Sequence, residues 1–532
     1  MKQEFDIVFV GSGINALVGA ALLATRGKRV LVLERNDRLG GCIRTEELFP
    51  GYRIDVLSQW YPLFMGSPGY AELKDKLEAA GLRFAQGEYT TGLVLPDGSG
   101  LALKQDLADA ARRIDALCPG DGQKVAAMAA RMFGEDASLT FGLMGQSPYG
   151  WDMAKLLARE GFKRGVDGMV AYASASLESF RRWAERELAH DATRAMIAPW
   201  ILHSGLGPDE ACSALIGKLT FAAVVAGGMP VVQGGSEGVV RALTKVIEGA
   251  GGSLRVNADV TEIVFSGQGA KARATGVRVG DELVQARQAV VCNVTPTQLY
   301  GRLWPDAPAA VQEKAQGYRY GRGGMQIHFA LRGQPQWTTP ELARVPLVHL
   351  TESMEEVCLS VVTACNGYLP ARPTLAIGQP TAVDPSRAPA DGSILWVQMQ
   401  ELPSRIRGDA GGTIDVPADG AWTPAVREAM ADRVQQRLEQ VMPGLSAQVV
   451  GRKAFSPADL QGLNCNLVGG DPYAGVCSPD QFFWMRPFAS TAGARGHQTP
   501  CANLYQIGAS THPGPGLGAG SGYLVAQALS RK

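Results

Sequence analysis

The chain has little of what builds metal centres and disulfide scaffolds. Its nine cysteines, Cys42, Cys118, Cys212, Cys292, Cys358, Cys365, Cys465, Cys477 and Cys501, are scattered with no CxxC pair, and there are six histidines. No metal site, thiol redox pair or disulfide framework is expected, and free thiols fit a reducing compartment such as the cytoplasm. Neither charge is in surplus: 51 Lys+Arg balance 51 Asp+Glu. A nucleic-acid partner, which calls for a basic excess, is therefore not expected. Long apolar runs are missing too. The longest weakly polar stretch, 219–232, is too short to span a bilayer and contains Gly227, Gly228 and Pro230. Peripheral membrane contact stays open. The first apolar run, Ile7–Val10, leads straight into a glycine motif and reads as fold, not as a signal peptide.

What is abundant is glycine, 65 residues without a Gly-X-Y period. Such content points to tight turns and close backbone approaches. A length of 532 residues predicts two to four domains.

The first fifty residues give this meaning. Residues 5–10, FDIVFV, read as a buried parallel strand. Gly11-Ser12-Gly13-Ile14-Asn15-Ala16 follows, then a helical stretch, then a second strand that ends at Glu34. Gly11 permits the tight turn, Gly13 removes the Cβ where a pyrophosphate approaches, and Ala16 allows close helix–strand packing. The helix N-terminus offers free N–H groups to phosphates. Glu34, 21 residues beyond Gly13, is placed to accept from ribose hydroxyls. This is a dinucleotide fingerprint, and the spacing alone does not separate NAD from FAD.

Glu34-Arg35-Asn36-Asp37-Arg38-Leu39-Gly40-Gly41 is similar to the ERxxRxGG signature of FAD enzymes in the phytoene desaturase and flavin amine oxidase superfamily. The resemblance implies that Gly40 and Gly41 pass beside the flavin phosphates and that arginines such as Arg35 help to neutralise them. It also implies a third strand in the FAD domain, with the Val260 backbone at the adenine edge. At the other end of the chain, LYQIGASTHPGPGLGAGSGYLVAQAL (504–529) resembles the C-terminal flavin motif of phytoene desaturase-like enzymes. There Gly508 approaches the pyrophosphate, Gly518 belongs to the loop, and the N–H groups of the closing helix face the flavin N1–C2=O edge. Pro515 departs from a glycine of that motif, and Ala509 stands where many amine oxidases carry an acid. Gly469-Gly470-Asp471, Asp480-Gln481 and Met485-Arg486-Pro487 resemble members related to pyridine nucleotide-disulphide oxidoreductase domain-containing protein 2.

The implied fold class is α/β. A Rossmann-type FAD-binding domain of residues 1–70, 225–300 and 490–532 accompanies a discontinuous substrate domain of mixed sheet plus helices, 71–224 and 301–489. Within the latter, Met325–Leu331 and Ile394–Met399 alternate like strands, while Val166–Phe180 and Trp200–Phe221 have helical spacing. The stretches 370–390 and 403–424 read as surface loops. His203, His328, His512 and Arg486 are the polar candidates for catalysis, each with a structural role as its rival. Trp60, Tyr61, Phe482, Phe483 and Trp484 are candidates for an apolar channel.

The resemblance implies an FAD-dependent oxidoreductase. It desaturates or otherwise oxidises a small hydrophobic, isoprenoid- or polyene-like substrate by hydride transfer to flavin N5. The reduced flavin then passes electrons to O2, a quinone or another acceptor. The alternatives are a flavin amine oxidase acting on a polar amine, a redox-neutral flavin-dependent isomerase, and a non-catalytic binding protein on the same scaffold.

Overall fold

The computed structural model describes residues 4–267, 272–489 and 494–531. The expected domain boundary at 490 falls on residues outside these. The strands used below are β1 (Glu4–Val10), β2 (Val30–Leu33), β3 (Tyr89–Val94), β4 (Gly100–Lys104), β5 (Ser253–Arg255), β6 (Val260–Ser266) and β7 (Arg273–Val279). They continue with β8 (Glu282–Cys292), β9 (Gly323–Arg332), β10 (Leu347–Leu350), β11 (Leu375–Gly378), β12 (Gly392–Leu402), β13 (Val449–Phe455) and β14 (Leu504–Gln506). The helices are α1 (Ile14–Thr25), α2 (Trp151–Leu177), α3 (Asp191–Leu202), α4 (Ser213–Gly227), α5 (Glu237–Gly249), α6 (Pro424–Val441) and α7 (Gly520–Ser530).

The first sheet runs β6-β7-β8-β1-β2-β5, with β14 also paired to β8. Pairings β1–β2, β1–β8, β2–β5 and β8–β14 are parallel. Alternation along β1 explains the layers. Ile7 and Phe9 pack on one face against α1, α5 and α7. Val8 and Val10 pack on the other with Val260, Val277, Tyr300 and Trp304. Helix α1 is buried from Ile14 to Ala24 because helices flank it on a covered sheet face.

The second sheet runs β13-β9-β12-β11-β10-β3-β4 and is antiparallel except between β10 and β3. On one face Ile327, Phe329, Leu395 and Val397 pack against Val434 and Leu438 of α6. The expected strands within 325–331 and 394–399 are present and extend further at both ends.

Two expectations are corrected. The helical spacing of 200–221 is broken between α3 and α4, where Gly205 (φ 82°), Pro208 and Cys212 (φ 69°) leave helical geometry. Residues 370–390 are not merely a surface loop. They contain β11, and Arg387 is wholly buried.

That arginine ties three distant segments. Its guanidinium donates to Asp55 Oδ2 at 2.6 Å, Asp384 Oδ2 at 3.3 Å and the Val232 carbonyl at 2.8 Å. Asp55 also accepts from Thr45 Oγ1 at 2.5 Å and from the Ser236 N–H at 2.9 Å. Arg387→Met strands a buried carboxylate and should lower stability by about 3–5 kcal/mol. Urea unfolding measures this, and adding Asp55→Asn should recover part of the loss.

Candidate functional site

At the carboxyl end of β1 the chain turns at Gly11 (φ 88°), and α1 begins after Gly13. This edge of a parallel sheet, between β1 and its neighbours, is where open α/β folds bind ligands. A cleft opens here, lined by Gly11, Gly13, Glu34, Arg35, Gly40, Gly41, Val260, Asn293, Gly508 and Leu517 among others.

Ser12 organises one side. Its Oγ donates to Glu34 Oε2 at 2.6 Å and accepts from the Gly40 N–H at 3.0 Å, while its N–H reaches the same Glu34 oxygen at 3.0 Å. The Asn36 N–H donates to Glu34 Oε1 at 3.0 Å. Three accepted bonds leave the carboxylate room for about one more. Gly13 and Gly40 form a parallel bridge, and a Cβ built on Gly41 would lie 3.4 Å from Gly13 Cα. The two glycine turns, separated by β2, thus touch.

Asn293, just past β8, fills the centre. Hypothetical Cβ atoms on Gly13 and Gly508 would fall 2.5 Å from its Nδ2 and 2.7 Å from its Oδ1. Side chains at those glycines would therefore collide with Asn293 as well as close the cleft.

The C-terminal motif joins the same cleft. The Gly508 N–H donates to Ser521 Oγ at 2.9 Å, and Ser521 Oγ donates to Asn15 Oδ1 at 2.7 Å. Asn15 Oδ1 also accepts from the Gly522 N–H at 3.3 Å. The first turn of α7 is thus capped by α1, and the preceding residues Gly516 and Leu517 line the cleft. Gly518 sits behind them near the Leu63 carbonyl, and Ala16 is buried in α1.

The catalytic candidates separate. His203 lines the cleft. Its Nε2 lies 3.0 Å from His349 Nε2, and burial pushes its pKa down to about 4, so the ring is neutral at pH 7. His328 is buried in β9 with Nε2 3.2 Å from the Val56 carbonyl, and His512 is buried in the flavin-motif loop; neither lines the cleft. Arg486, wholly buried, donates to the carbonyls of Ala509 at 2.7 Å and Tyr473 at 2.6 Å. It fastens two lining segments together from outside the lining. Burial raises the Cys42 thiol to about 11, so this lining cysteine is no thiolate nucleophile at neutral pH.

Ser12, Asn15, Asn293, Asp471 and Ser521 escaped sequence reasoning. Asp471 accepts from the N–H groups of Gly321, Tyr473 and Gly475 and so holds the lining stretch Pro472–Ala474. Asn293 could have been found from its place at the carboxyl end of a parallel strand. Ser12, Asn15 and Ser521 act through partners far away in the chain, and Asp471 through Gly321 as well as its near neighbours Tyr473 and Gly475.

A family model for flavin containing amine oxidoreductases matches residues 17–388. The chain belongs to that family. Pyridine nucleotide-disulfide oxidoreductase domain-containing protein 2 of Rattus norvegicus is 25% identical, covering 100% of this chain and 94% of that protein. A neurosporene-forming phytoene desaturase of Rhodobacter capsulatus is also 25% identical, over 98% of this chain and 93% of the desaturase. Among solved structures, an oxidoreductase from Methanosarcina mazei superposes with a TM-score of 0.60 at 15% identity over 100% of both chains. Cyclohexylamine oxidase from Brevibacterium oxydans does so with 0.59 at 14% over 99% of both. These structures share the fold.

The cofactor is FAD, and the cleft fits it. Glycine backbones stand where a diphosphate needs close approach, Glu34 keeps acceptor capacity for ribose, and Arg35 lines the same end. Gly13→Trp should give a colourless protein where the wild type is yellow. Flavin released on denaturation, measured per chain, checks it; equal content in both would overturn the assignment.

Proposed function

We propose that this FAD-dependent oxidoreductase dehydrogenates a small, largely apolar substrate of isoprenoid or polyene type. The observation that carries the reading is the position of charge in the cleft. Its lining carboxylates are Glu34 and Asp259, both at the dinucleotide end. Toward the C-terminal motif the lining includes Leu467, Pro472, Tyr473, Ala474, Ala509 and Leu517, with the uncharged Asn464, Asn466 and Ser510 among them. Such walls hold a hydrocarbon body and exclude water, and they give an ammonium group no counter-charge. This disfavours the amine oxidase reading. Among described relatives a limonene dehydrogenase component of Castellaniella defragrans, 22% identical over 99% of this chain and 95% of that protein, agrees in kind.

Bound FAD supplies a two-electron acceptor for the hydride of a C–H bond. The chain's part is placement. Arg486 fixes the Ala509 carbonyl, and Ser521 holds Gly508, so this backbone is set before substrate arrives. Anaerobic addition of a panel of terpenes, polyenes and amines to the holoenzyme should bleach the flavin with apolar members and not with amines. Bleaching by amines alone would overturn the reading. Product formation by the pre-reduced holoenzyme, with the flavin still reduced afterwards, would identify the isomerase instead. Readmitting O2 or adding a quinone then identifies the electron acceptor.

Peripheral membrane contact has support in α2. Trp151 and Phe162 (75% and 95% exposed) precede, and Val166 and Val170 (80% and 62%) follow, a break in helical geometry at Gly165 (φ 69°, ψ 178°). Exposed Lys155, Arg159 and Lys163 flank the ridge. An apolar stripe beside cations suits an anionic bilayer surface. The protein should sediment with phosphatidylglycerol vesicles, more weakly with phosphatidylcholine, and Phe162→Glu/Val166→Glu should abolish it. Concentration-dependent dimerisation lost in that variant, without vesicle binding, would assign the ridge to a second copy.

A further inference from the structure

The second sheet has two unlike faces. The one against α6 is apolar, as expected of a core. The other carries Gln326 and His328 on β9, Trp396, Gln398 and Gln400 on β12, and His349 on β10. The ladder places Gln326 opposite Gln398 and His328 opposite Trp396, and Ala376 opposite both Gln398 and His349. Residues directly opposite share a face, so these six side chains form one polar row. Gln326, His328, His349 and Trp396 are buried, yet Gln326 Oε1, His328 Nδ1, His349 Nδ1 and Trp396 Nε1 meet no hydrogen-bonding partner among the described residues. The segment laid over the row repeats the pattern. Trp60, whose Cζ2 would lie 3.0 Å from a Cβ on Gly378, has an unpartnered Nε1, and both amide atoms of Gln59 are unpartnered.

His203 joins this row to the flavin cleft. Gln400 Nε2 donates to Gln398 Oε1 at 3.0 Å and to His203 Nδ1 at 3.3 Å. If Nδ1 accepts, the His203 hydrogen sits on Nε2 and donates to His349 Nε2, 3.0 Å away. The Trp200 indole holds both imidazoles, with ring centroids at 5.0 Å and 4.8 Å.

We propose that the substrate carries a hydroxyl on its otherwise apolar skeleton, and that this hydroxyl docks on His203 where the cleft meets the polar row. The long Gln400 contact is the bond that yields. A hydroxyl can donate to His203 Nδ1 while Gln400 keeps its shorter bond to Gln398. The group is taken as uncharged because the buried charges beside it already have partners, apart from Arg322 Nε, which meets none among the described residues. Arg322 pairs with Glu210 at 3.4 Å and donates to the Gly205 carbonyl, and Glu401 accepts from the N–H groups of Thr374 and Gln400. Neutral His203, accepting at Nδ1, therefore takes an O–H and offers no hydrogen there to a carboxylate.

This rests on the dehydrogenase reading and is tested by binding, not turnover. Purified holoenzyme is titrated anaerobically with geraniol and with the same skeleton lacking the hydroxyl, following the change in flavin absorbance. Geraniol should bind about tenfold more tightly, about 1.4 kcal/mol. His203→Leu should remove that advantage by weakening geraniol alone, at unchanged flavin content, and His203→Gln should restore much of it. Gln400→Met removes the donor that competes for His203 Nδ1, so it should tighten geraniol alone, and selective weakening of geraniol by it overturns the exchange. Equal binding of the two ligands by the wild type, or equal weakening of both by His203→Leu, overturns the hydroxyl subsite. If the hydrocarbon bleaches the flavin while geraniol binds no better, the dehydrogenase reading survives and the subsite does not. If neither ligand perturbs the flavin, both fall.

Discussion

Helix α1, near the start of the chain, and helix α7, at its end, cross with almost no space between them. A Cβ on Gly522 would lie 1.9 Å from the Asn15 carbonyl oxygen, and one on Gly19 would lie 3.2 Å from the Gly522 carbonyl. At that crossing Asn15 Oδ1 accepts from Ser521 Oγ and the Gly522 N–H, and Ser521 Oγ accepts from the Gly508 N–H. The rest of the site depends on this clasp. It sets where α7 starts, and so where Gly508 to Leu517 run relative to the glycine turn of Gly11 to Gly13. Two backbone segments that share no local interaction become the walls of one cleft.

The clasp also explains why the cleft needs glycine on several sides. Asn293 enters from β8 and fills the space between the N-terminal and C-terminal turns, touching the positions where Gly11, Gly13 and Gly508 would carry side chains. An asparagine amide has both donors and an acceptor, so it can stand beside backbone groups of either kind. Ser12 plays the matching part between Glu34 and Gly40. The acid and both glycine turns are therefore fixed by protein hydrogen bonds independently of any ligand, which lowers the ordering cost of binding a large cofactor.

The dinucleotide half of the molecule was legible because its signals are local. Strand, turn, helix and acid lie within thirty residues, and each residue type answers a steric or hydrogen-bonding need at its own position. The C-terminal motif was legible through resemblance, and its approach to the same cleft followed. Partners distant in sequence were not legible. Nothing local marks Asn15 as the cap of a helix that starts at Gly520, or Arg387 as the buried counter-charge of Asp55. The breaks between α3 and α4 misled as well. Residues 200–221 keep helical apolar spacing, and only Gly205, Pro208 and the left-handed Cys212 show why α3 and α4 are separate helices. Alternation predicted β9 and β12 correctly, but it could not say that the polar set faces inward.

That inward polarity separates the two halves of the site in kind. A sheet packed on both faces ordinarily reads as a nearly continuous apolar run. β9 and β12 instead alternate although both faces are covered, with Met325, Ile327 and Phe329 toward α6 and Gln326 and His328 toward the segment 56–60. A buried polar group without a partner destabilises the fold by about 1–3 kcal/mol, so packing alone gives no reason to keep such a row. Apolar replacements would satisfy the core equally well on that face. The row itself lies outside the cleft lining, and His328 reaches the lining only through the 56–60 segment, whose Ser58 N–H donates to the Cys42 carbonyl. The row's contact with the cleft, on the proposed reading, is through His203. The cofactor end of the cleft is glycine backbone held in place by the side chains of Ser12, Glu34, Asn293 and Ser521, whereas on the proposed reading the far end presents His203 and the row behind it.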